Sequence, residues 1–215
     1  AQLLGAIPVI TTSTDVNGAF SVDTFAAENR LAITDRKGIK KVSVKALEGK
    51  KVTLSIKDFP PAEKVDVIVA DETDRECSLL LTPKEYTVGL GMKKNRDSRA
   101  AESFFLETLS GLGIDVSDIY ALATIDAKED EEALTYLRDR YSIPLISFDS
   151  SLLNKAEGSF AGSDFVKQTV GCDNVCERAA TLAAGPGAEP VLGKTAHNGM
   201  TIAVAKRRNI WGRYI

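Results

Sequence analysis

The sequence has no uninterrupted apolar run of the roughly 18 residues that a membrane-spanning helix needs. It does not open on a basic segment followed by an apolar one, so neither a transmembrane helix nor a signal peptide is read from it. It has no excess of positive charge: 27 Lys and Arg against 30 Asp and Glu leave a net charge of −3 and a pI near 5.4. Bulk electrostatic capture of nucleic acid is therefore excluded, and any anion must be held locally. Cysteine is scarce: Cys77, Cys172 and Cys176 are odd in number and have no framework spacing, which points to a reducing compartment, and the cytoplasm is the expected location. No membrane partner and no nucleic-acid partner are expected.

Histidine is scarcer still. A structural zinc site takes four ligands, and beside Cys172 and Cys176 only Cys77 and the sole histidine, His197, remain, so buried thiols and no protein metal site are expected. No Ser/His/Asp order and no nucleophile elbow occurs, and His197 reads as a hairpin residue. Internal repeats and low-complexity tracts are missing as well.

What is present is a 215-residue chain, 44% hydrophobic and 27% charged, with apolar surface enough for a core. The expected fold class is α/β: a C-terminal α/β sheet domain, a small β-rich middle region and a truncated N-terminal α/β unit. The boundaries read as 1–35, 36–84 and 85–215. The most informative stretch is Ser163–Gly185. Ser163 reads as the cap of a short helix that Gly171 ends, and Asp173 or Asn174 as the cap of a second. On that second helix Val175, Ala179, Leu182 and Ala183 recur at helical spacing, and Ala180, Thr181 and Ala184 let it lie close on a sheet. Strands are expected at Tyr86–Leu90, Ile119–Ile125, Pro144–Phe148, Pro190–Leu192 and Met200–Ala205. Helices are expected at about Arg99–Leu109, Glu129–Arg140 and Ser150–Asn154.

At the N-terminal end Ala6–Ile10 reads as a buried strand running into Thr11, Thr12, Ser13, Thr14 and Asp15, with a turn at Asn17-Gly18. Such a cluster at a strand end suits ligand contact, and it equally suits capping of a helix near Val22–Asn29. The chain opens on Ala1 within what reads as the end of a helix, and a fragment of a longer protein is expected. In the middle region Lys40–Val44 and Val52–Ile56 alternate as half-exposed strands, and Val65–Ala70 is a third. Charged turns lie at Glu48–Lys51 and Asp71–Glu76.

After residue 85 the strand that ends Val88-Gly89-Leu90-Gly91 is followed by Lys93, Lys94, Arg96 and Arg99 around a helix start. Glycines there let the backbone approach a ligand, and the cations with the helix terminus favour an anion. Each such contribution is small, about 0.3–1 kcal/mol for a helix terminus and about 0–1 kcal/mol for an exposed ion pair, so a ligand with several acid groups is needed. Two nucleotide motifs fail. Lys94 stands where a dinucleotide fingerprint needs its third glycine, and Ala188–Thr195 has Ala188 for glycine, Pro190 inside the loop and no following helix. A hairpin turning at Asn198-Gly199 suits that region better.

Several segments in order carry a family resemblance: Val88–Lys94, Ala121–Lys128, Phe165–Gly171, Asn174–Glu177 with Ala179-Ala180, and Gly199–Ala205. Together they resemble the C-terminal, CobE-like domain of the CbiG family. Leu4–Gly18 resembles the end of that family's N-terminal domain, and residues 36–84 its middle region. The family's Gly/His-rich upstream segment is not in this sequence. Two positions depart from the family: Met92 stands where a cysteine is common, which removes a thiol role there, and Asn95 stands for a glycine, a change that a left-handed backbone tolerates.

The resemblance implies cobalt-precorrin-5A hydrolase, an enzyme of the anaerobic cobalamin pathway that opens the δ-lactone of a cobalt tetrapyrrole and releases acetaldehyde. A non-catalytic module that binds or carries a corrin intermediate is the alternative. No cofactor is implied, because the cobalt belongs to the substrate. The expected partners are that substrate, neighbouring cobalamin-pathway enzymes and a second copy of the chain. Read with the resemblance, Thr12, Thr14 and Asp15 are the catalytic candidates. The substrate-binding candidates are Thr11, Asn17, Gly89, Gly91, Lys93, Lys94, Arg96, Asp126 and Ser163.

Overall fold

The computed structural model describes residues 20–33, 35–57, 64–160 and 168–208. The chain divides into two compact units between Pro83 and Lys84. Both are mixed α/β, and no described helix is long and apolar enough to cross a membrane.

The first unit is a four-stranded sheet in the order β1-β4-β3-β2. It is built from α1 (Val22–Glu28), β1 (Leu31–Ile33), α2 (Arg36–Leu47), β2 (Leu54–Ile56), β3 (Val65–Val69) and β4 (Cys77–Pro83). Strands β2, β3 and β4 are parallel, and β1 runs antiparallel to β4 with Leu31 opposite Pro83. One sheet thus takes strands from both sides of residue 35. α1 occupies its expected place, with the Ser21 hydroxyl accepting from the Thr24 amide.

The strand expected at Lys40–Val44 is instead part of helix α2, a correction with a clear cause. Alternation over five residues cannot be told from an i, i+4 pattern. Gly38, Val42 and Ala46 form one buried helical stripe, and Asp35 caps the start by accepting from the Lys37 amide at 2.8 Å. Gly38 also lets the helix lie close on β4, since a Cβ there would stand 2.4 Å from the Ser78 carbonyl oxygen. Asp66 on β3 ties the sheet to the helix. It accepts from Lys45 Nζ and from the Thr53 amide and hydroxyl, all at 2.7 Å. Burial alone would raise its carboxyl, and these partners outweigh it and hold the group below its ordinary value.

The second unit is a five-stranded sheet in the order β7-β6-β5-β9-β8. Its elements are β5 (Tyr86–Met92), α3 (Ser98–Gly111), β6 (Ile119–Ile125), α4 (Glu132–Tyr141), β7 (Leu145–Phe148), α5 (Ser150–Asn154), α6 (Val175–Ala184), β8 (Glu189–His197) and β9 (Met200–Lys206). β5, β6 and β7 are parallel, while β9 returns antiparallel to β5 and β8 antiparallel to β9. α4 starts later than the periodicity implied, because a 3₁₀ turn at Asp126–Lys128 comes first. The last hairpin turns at Asn198 and Gly199, both left-handed at φ 47° and 76°. That backbone belongs to an Asn-Gly hairpin turn, and the run that imitated a phosphate loop is its first strand.

The two faces of this sheet carry side chains of different size. Val88, Leu90, Leu122, Ile202 and Val204 pack with Phe105, Leu109, Leu134 and Leu137 beneath α3 and α4. On the other face Thr87, Gly89, Ala123, Ala203 and Ala205 leave room for α6. Gly89 decides how close α6 comes: a Cβ there would lie 1.8 Å from the Cys176 carbonyl oxygen. The Thr87 hydroxyl donates to the Ala180 carbonyl at 2.8 Å, so the contact is polar as well as close. α6 runs antiparallel to β5, with Val175 beside Gly91 and Ala180 beside Thr87.

α3 and α4 are joined through Glu102, whose side chain is 12% exposed. Its carboxylate accepts from the hydroxyls of Tyr141 at 2.7 Å and Tyr136 at 3.0 Å, and from Arg99 at 3.1 Å. The Tyr141 hydrogen bond, then those of Tyr136 and Arg99, hold this carboxyl below its ordinary value against the opposing effect of burial. Loss of water, then the same carboxylate, push the Tyr141 phenol up to about 12.

Two tests follow, the first a pair of glycine substitutions. Gly89→Ala loses about 3 kcal/mol in urea unfolding, because backbone rather than a flexible side chain meets the new methyl. Gly111→Ala, with open space at its Cβ and helical backbone, is neutral or gains about 0.5–1 kcal/mol. In the second test, urea midpoints are followed against pH. A carboxyl lowered by folding contributes stability above its unfolded pKa of about 4.3 and loses it as pH falls through the folded value. Glu102→Gln should therefore flatten the acid limb of the curve, and an unchanged acid limb contradicts the assignment.

Candidate functional site

In an open α/β sheet the loops that follow parallel strands share one edge, where the backbone leaves the sheet and the next helix has not yet covered it. Here that edge lies beyond Met92, Ile125 and Phe148, and α3, α4 and α5 all start from it. α6 also starts there, since Val175 sits beside Gly91. Each start is capped or engaged. Asp97 accepts from the Ala100 amide, Asp149 from Leu152 and Asn174 from Glu177, at 2.8, 2.8 and 3.1 Å. The choice between Asp173 and Asn174 is thereby resolved: Asn174 is the cap, and Asp173 binds Arg178 at 3.0 Å.

α4 differs. Its first residue boundary is Glu131, whose side chain does not cap its own helix. It reaches into the preceding loops, where one oxygen takes Lys128 Nζ at 2.9 Å and the other accepts from the Asn95 amide at 3.1 Å. The Lys128 hydrogen bond, the Asn95 amide and the charges of Lys128 and Lys94 hold this carboxyl low, against the opposing effect of burial. Asn95 is left-handed at φ 57°, the backbone expected where the family has glycine. The cationic loop 93–96 is therefore held at its middle by a carboxylate from the neighbouring strand connection. Sequence reasoning did not single out Glu131; its spacing before an apolar helix reads as ordinary first-turn acidity.

The candidate residues are distributed as follows. Thr11, Thr12, Thr14, Asp15, Asn17 and Ser163 lie outside the described residues. Gly89 and Gly91 are inside β5 and buried. The close approach that was read as one to a ligand is at Gly89 an approach to α6, and at Gly91 to the Thr201 hydroxyl, 2.6 Å from where a Cβ would be. The missing side chain of each glycine is thus needed for packing. Lys93, Lys94 and Arg96 lie in the loop after β5, as expected. Lys93 and Arg96 come together over the distant hairpin: a Cβ at Gly199 would meet Lys93 Cδ at 3.2 Å and Arg96 Nη1 at 3.5 Å. Lys94 contributes its charge to Glu131 instead. Arg99 points elsewhere, pairing with Glu102 and lying 5.4 Å from the Tyr136 ring centre. Asp126 opens the next loop, exposed, with its carboxylate accepting from the Ala127 amide at 2.6 Å. Its neighbour Glu129 hydrogen-bonds Ser147 at the end of β7.

The thiols take no part in this edge. Cys172 and Cys176 are buried and unbridged. Burial pushes the Cys176 thiol up to about 11, so it stays protonated near neutral pH. The edge offers cations, amides and solvated carboxylates, a set suited to holding an acid ligand.

The sequence pattern of the family described as cobalamin synthesis G C-terminus matches residues 86–205. A cobalt-precorrin-5A hydrolase from Salmonella typhimurium is 26% identical over 208 residues, covering 85% of this chain and 59% of the relative. The chain thus spans about three fifths of that relative's length. The crystal structure of CobE, a protein from the cobalamin biosynthetic pathway, is similar over 56% of this chain and 89% of its own, with 26% identity and a TM-score of 0.52. A homolog of cobalamin biosynthesis protein G from Sulfolobus solfataricus shares the fold over 96% of this chain and 64% of its own, at 20% identity and a TM-score of 0.50.

Removing the Glu131 acceptor should release the loop it holds. In Glu131→Ala the Asn95 amide is expected to exchange with deuterium at least about tenfold faster, while Glu131→Gln, which keeps an acceptor, recovers part of the protection. Unchanged exchange in the alanine variant contradicts the role.

Proposed function

This chain belongs to the family of the cobalamin synthesis G C-terminus, and from that membership we propose that it serves as a cobalt-precorrin-5A hydrolase. The reaction adds water to the δ-lactone of a cobalt-containing tetrapyrrole, and the cobalt is part of the substrate. A base directs water at the lactone carbonyl, donors receive the resulting oxyanion, and the ring opens to an acid and a free hydroxyl. Loss of the hydroxyl proton then lets the carbon–carbon bond break, expelling acetaldehyde while the macrocycle accepts the electron pair.

The observation that carries this reading is the cationic loop after β5, at the edge where ligands of open α/β sheets sit. Lys93, Lys94 and Arg96 are gathered there, and no ion pair to an acid of the described residues holds Lys93 or Arg96. A tetrapyrrole rimmed with acetates and propionates supplies several carboxylates at once. That offsets the weakness of each exposed contact, about 0–1 kcal/mol. Asp126 in the adjoining loop faces the same edge as a polar contact. The catalytic roles fall to Thr12, Thr14 and Asp15, with Thr11, Asn17 and Ser163 as further substrate contacts. The cytoplasm is the proposed location, and neighbouring pathway enzymes and a second copy of the chain are the proposed partners.

A second reading is that this chain binds or carries a corrin intermediate without turning it over. The likeness to CobE favours it, because 56% of this chain accounts for 89% of CobE. Acetaldehyde release from cobalt-precorrin-5A, measured for this chain and for the longer Salmonella relative side by side, separates the two. Release by both supports the hydrolase. Binding without release by this chain supports the carrier, and absence of binding rejects both. Affinity should fall steeply with salt, and a Lys93→Ala/Lys94→Ala variant should bind about tenfold or more weakly at low salt.

A further inference from the structure

Half of the described cations of the second unit have an acid beside them. Lys128 has Glu131, Arg99 and Arg140 have Glu102, Arg178 has Asp173, and Lys206 has Glu85. Lys93, Lys94 and Arg96, all in one loop, have no such ion pair among the described residues, although the sequence holds 30 acidic residues to 27 basic ones. Arg96 is moreover only partly exposed, and its Nε is sealed from solvent with no acceptor within hydrogen-bond distance. Two like charges side by side, one of them half withdrawn from water with a donor unmet, are unfavourable until an anion arrives.

Their meeting point is built by several elements. Lys93 donates its amide to the Gly199 carbonyl at 2.9 Å, which ties the loop to the hairpin turn. Gly199 is left-handed and has no side chain, so the Lys93 stem and the Arg96 guanidinium lie directly over it. His197 flanks the turn, its ring 5.5 Å from that of Phe104 on α3, and its Nε2 is 2.8 Å from Asn198 Nδ2.

We infer that Lys93, Arg96 and the turn at residues 197–199 form a discrete subsite for one carboxylate, separate from Lys94. It rests on the reading of the edge as a tetrapyrrole site and names which part of that edge grips a single acid arm. The Arg96 guanidinium presents its planar fork to the carboxylate, and Lys93 adds a point charge. The hairpin sets how far the arm enters. The atoms nearest the open side of Gly199 belong to Lys93 and Arg96 and none to Lys94, which places Lys94 outside this subsite.

The probe is uroporphyrin I, an octacarboxylate, titrated at low salt against the full chain with its fluorescence as readout. Thermal unfolding of every variant controls for folding. Arg96→Gln and Lys93→Gln are each expected to weaken binding about tenfold. The double variant should lose much less than the product of the two, since both act on one anion. Lys94→Gln, which leaves the turn untouched, should weaken binding clearly less than either Arg96→Gln or Lys93→Gln. Gly199→Ala, which places a methyl against the Lys93 stem and the Arg96 guanidinium, should weaken binding and leave the Lys94→Gln effect unaltered. The inference is overturned if Arg96→Gln binds normally while the triple variant with Lys93→Gln and Lys94→Gln loses binding, or if Lys94→Gln costs as much as Arg96→Gln. A triple variant that binds as tightly as the parent overturns the wider reading of the edge instead.

Discussion

The close passage of α6 over β5 is the constraint on which the second unit depends. Without a Cβ at Gly89 the helix backbone comes within reach of the strand, and the Thr87 hydroxyl closes the contact on the Ala180 carbonyl. Small residues on the other strands accept the helix at the same depth, while the opposite face carries the large aliphatics under α3 and α4. A sheet with one shallow and one deep face holds its helices at different distances and gives the strands one register. The N-terminus of α6 is thereby brought beside Gly91, at the edge from which the other helices also begin. The first unit uses the same device on a smaller scale, with Gly38 of α2 set against Ser78 and Leu79 of β4.

Partition of charge follows from that framework. Helix starts crowd one edge, and each makes local use of an acid or an amide: Asp97, Asp149 and Asn174 satisfy their own helices. Glu131 is spent across the connection, on the amide of Asn95 and on Lys128. The acids nearest the cationic loop are thus engaged by backbone amides or by other cations. Lys93 and Arg96 keep their charge available because the carboxylates that could neutralise it already have donors. An edge so arranged suits the acid-bearing ligand proposed for it.

Much of the second unit was legible in the chain. Ile119–Ile125 and Ser150–Asn154 coincide with their expected limits, and the hairpin turns at Asn198-Gly199 because that pair supplies the two left-handed residues such a turn demands. The helix Val175–Ala184 was readable from its small stripe and its cap. In the first unit the reading failed at Lys40–Val44, where five residues satisfied two periods and only the stripe Gly38, Val42, Ala46 distinguished them. The strand Cys77–Pro83 was missed, although it pairs both β1 and β3, because charged turns on its N-terminal side drew the eye from its apolar alternation.

For the site, residue types and their neighbours along the chain sufficed to locate the cationic loop and to show that thiol, zinc and nucleotide motifs were incomplete. Those are local properties, set by spacing within a few residues. What Gly89 faces, which cation lacks an acid and which carboxylate steadies the loop were decided only in three dimensions. Glu131 reaches an amide 36 positions away, and Gly199 meets Lys93 and Arg96 across the sheet. Backbone preferences arise from contacts within a turn or two, whereas the pairing of charges depends on which distant loops the packed strands bring to the same edge.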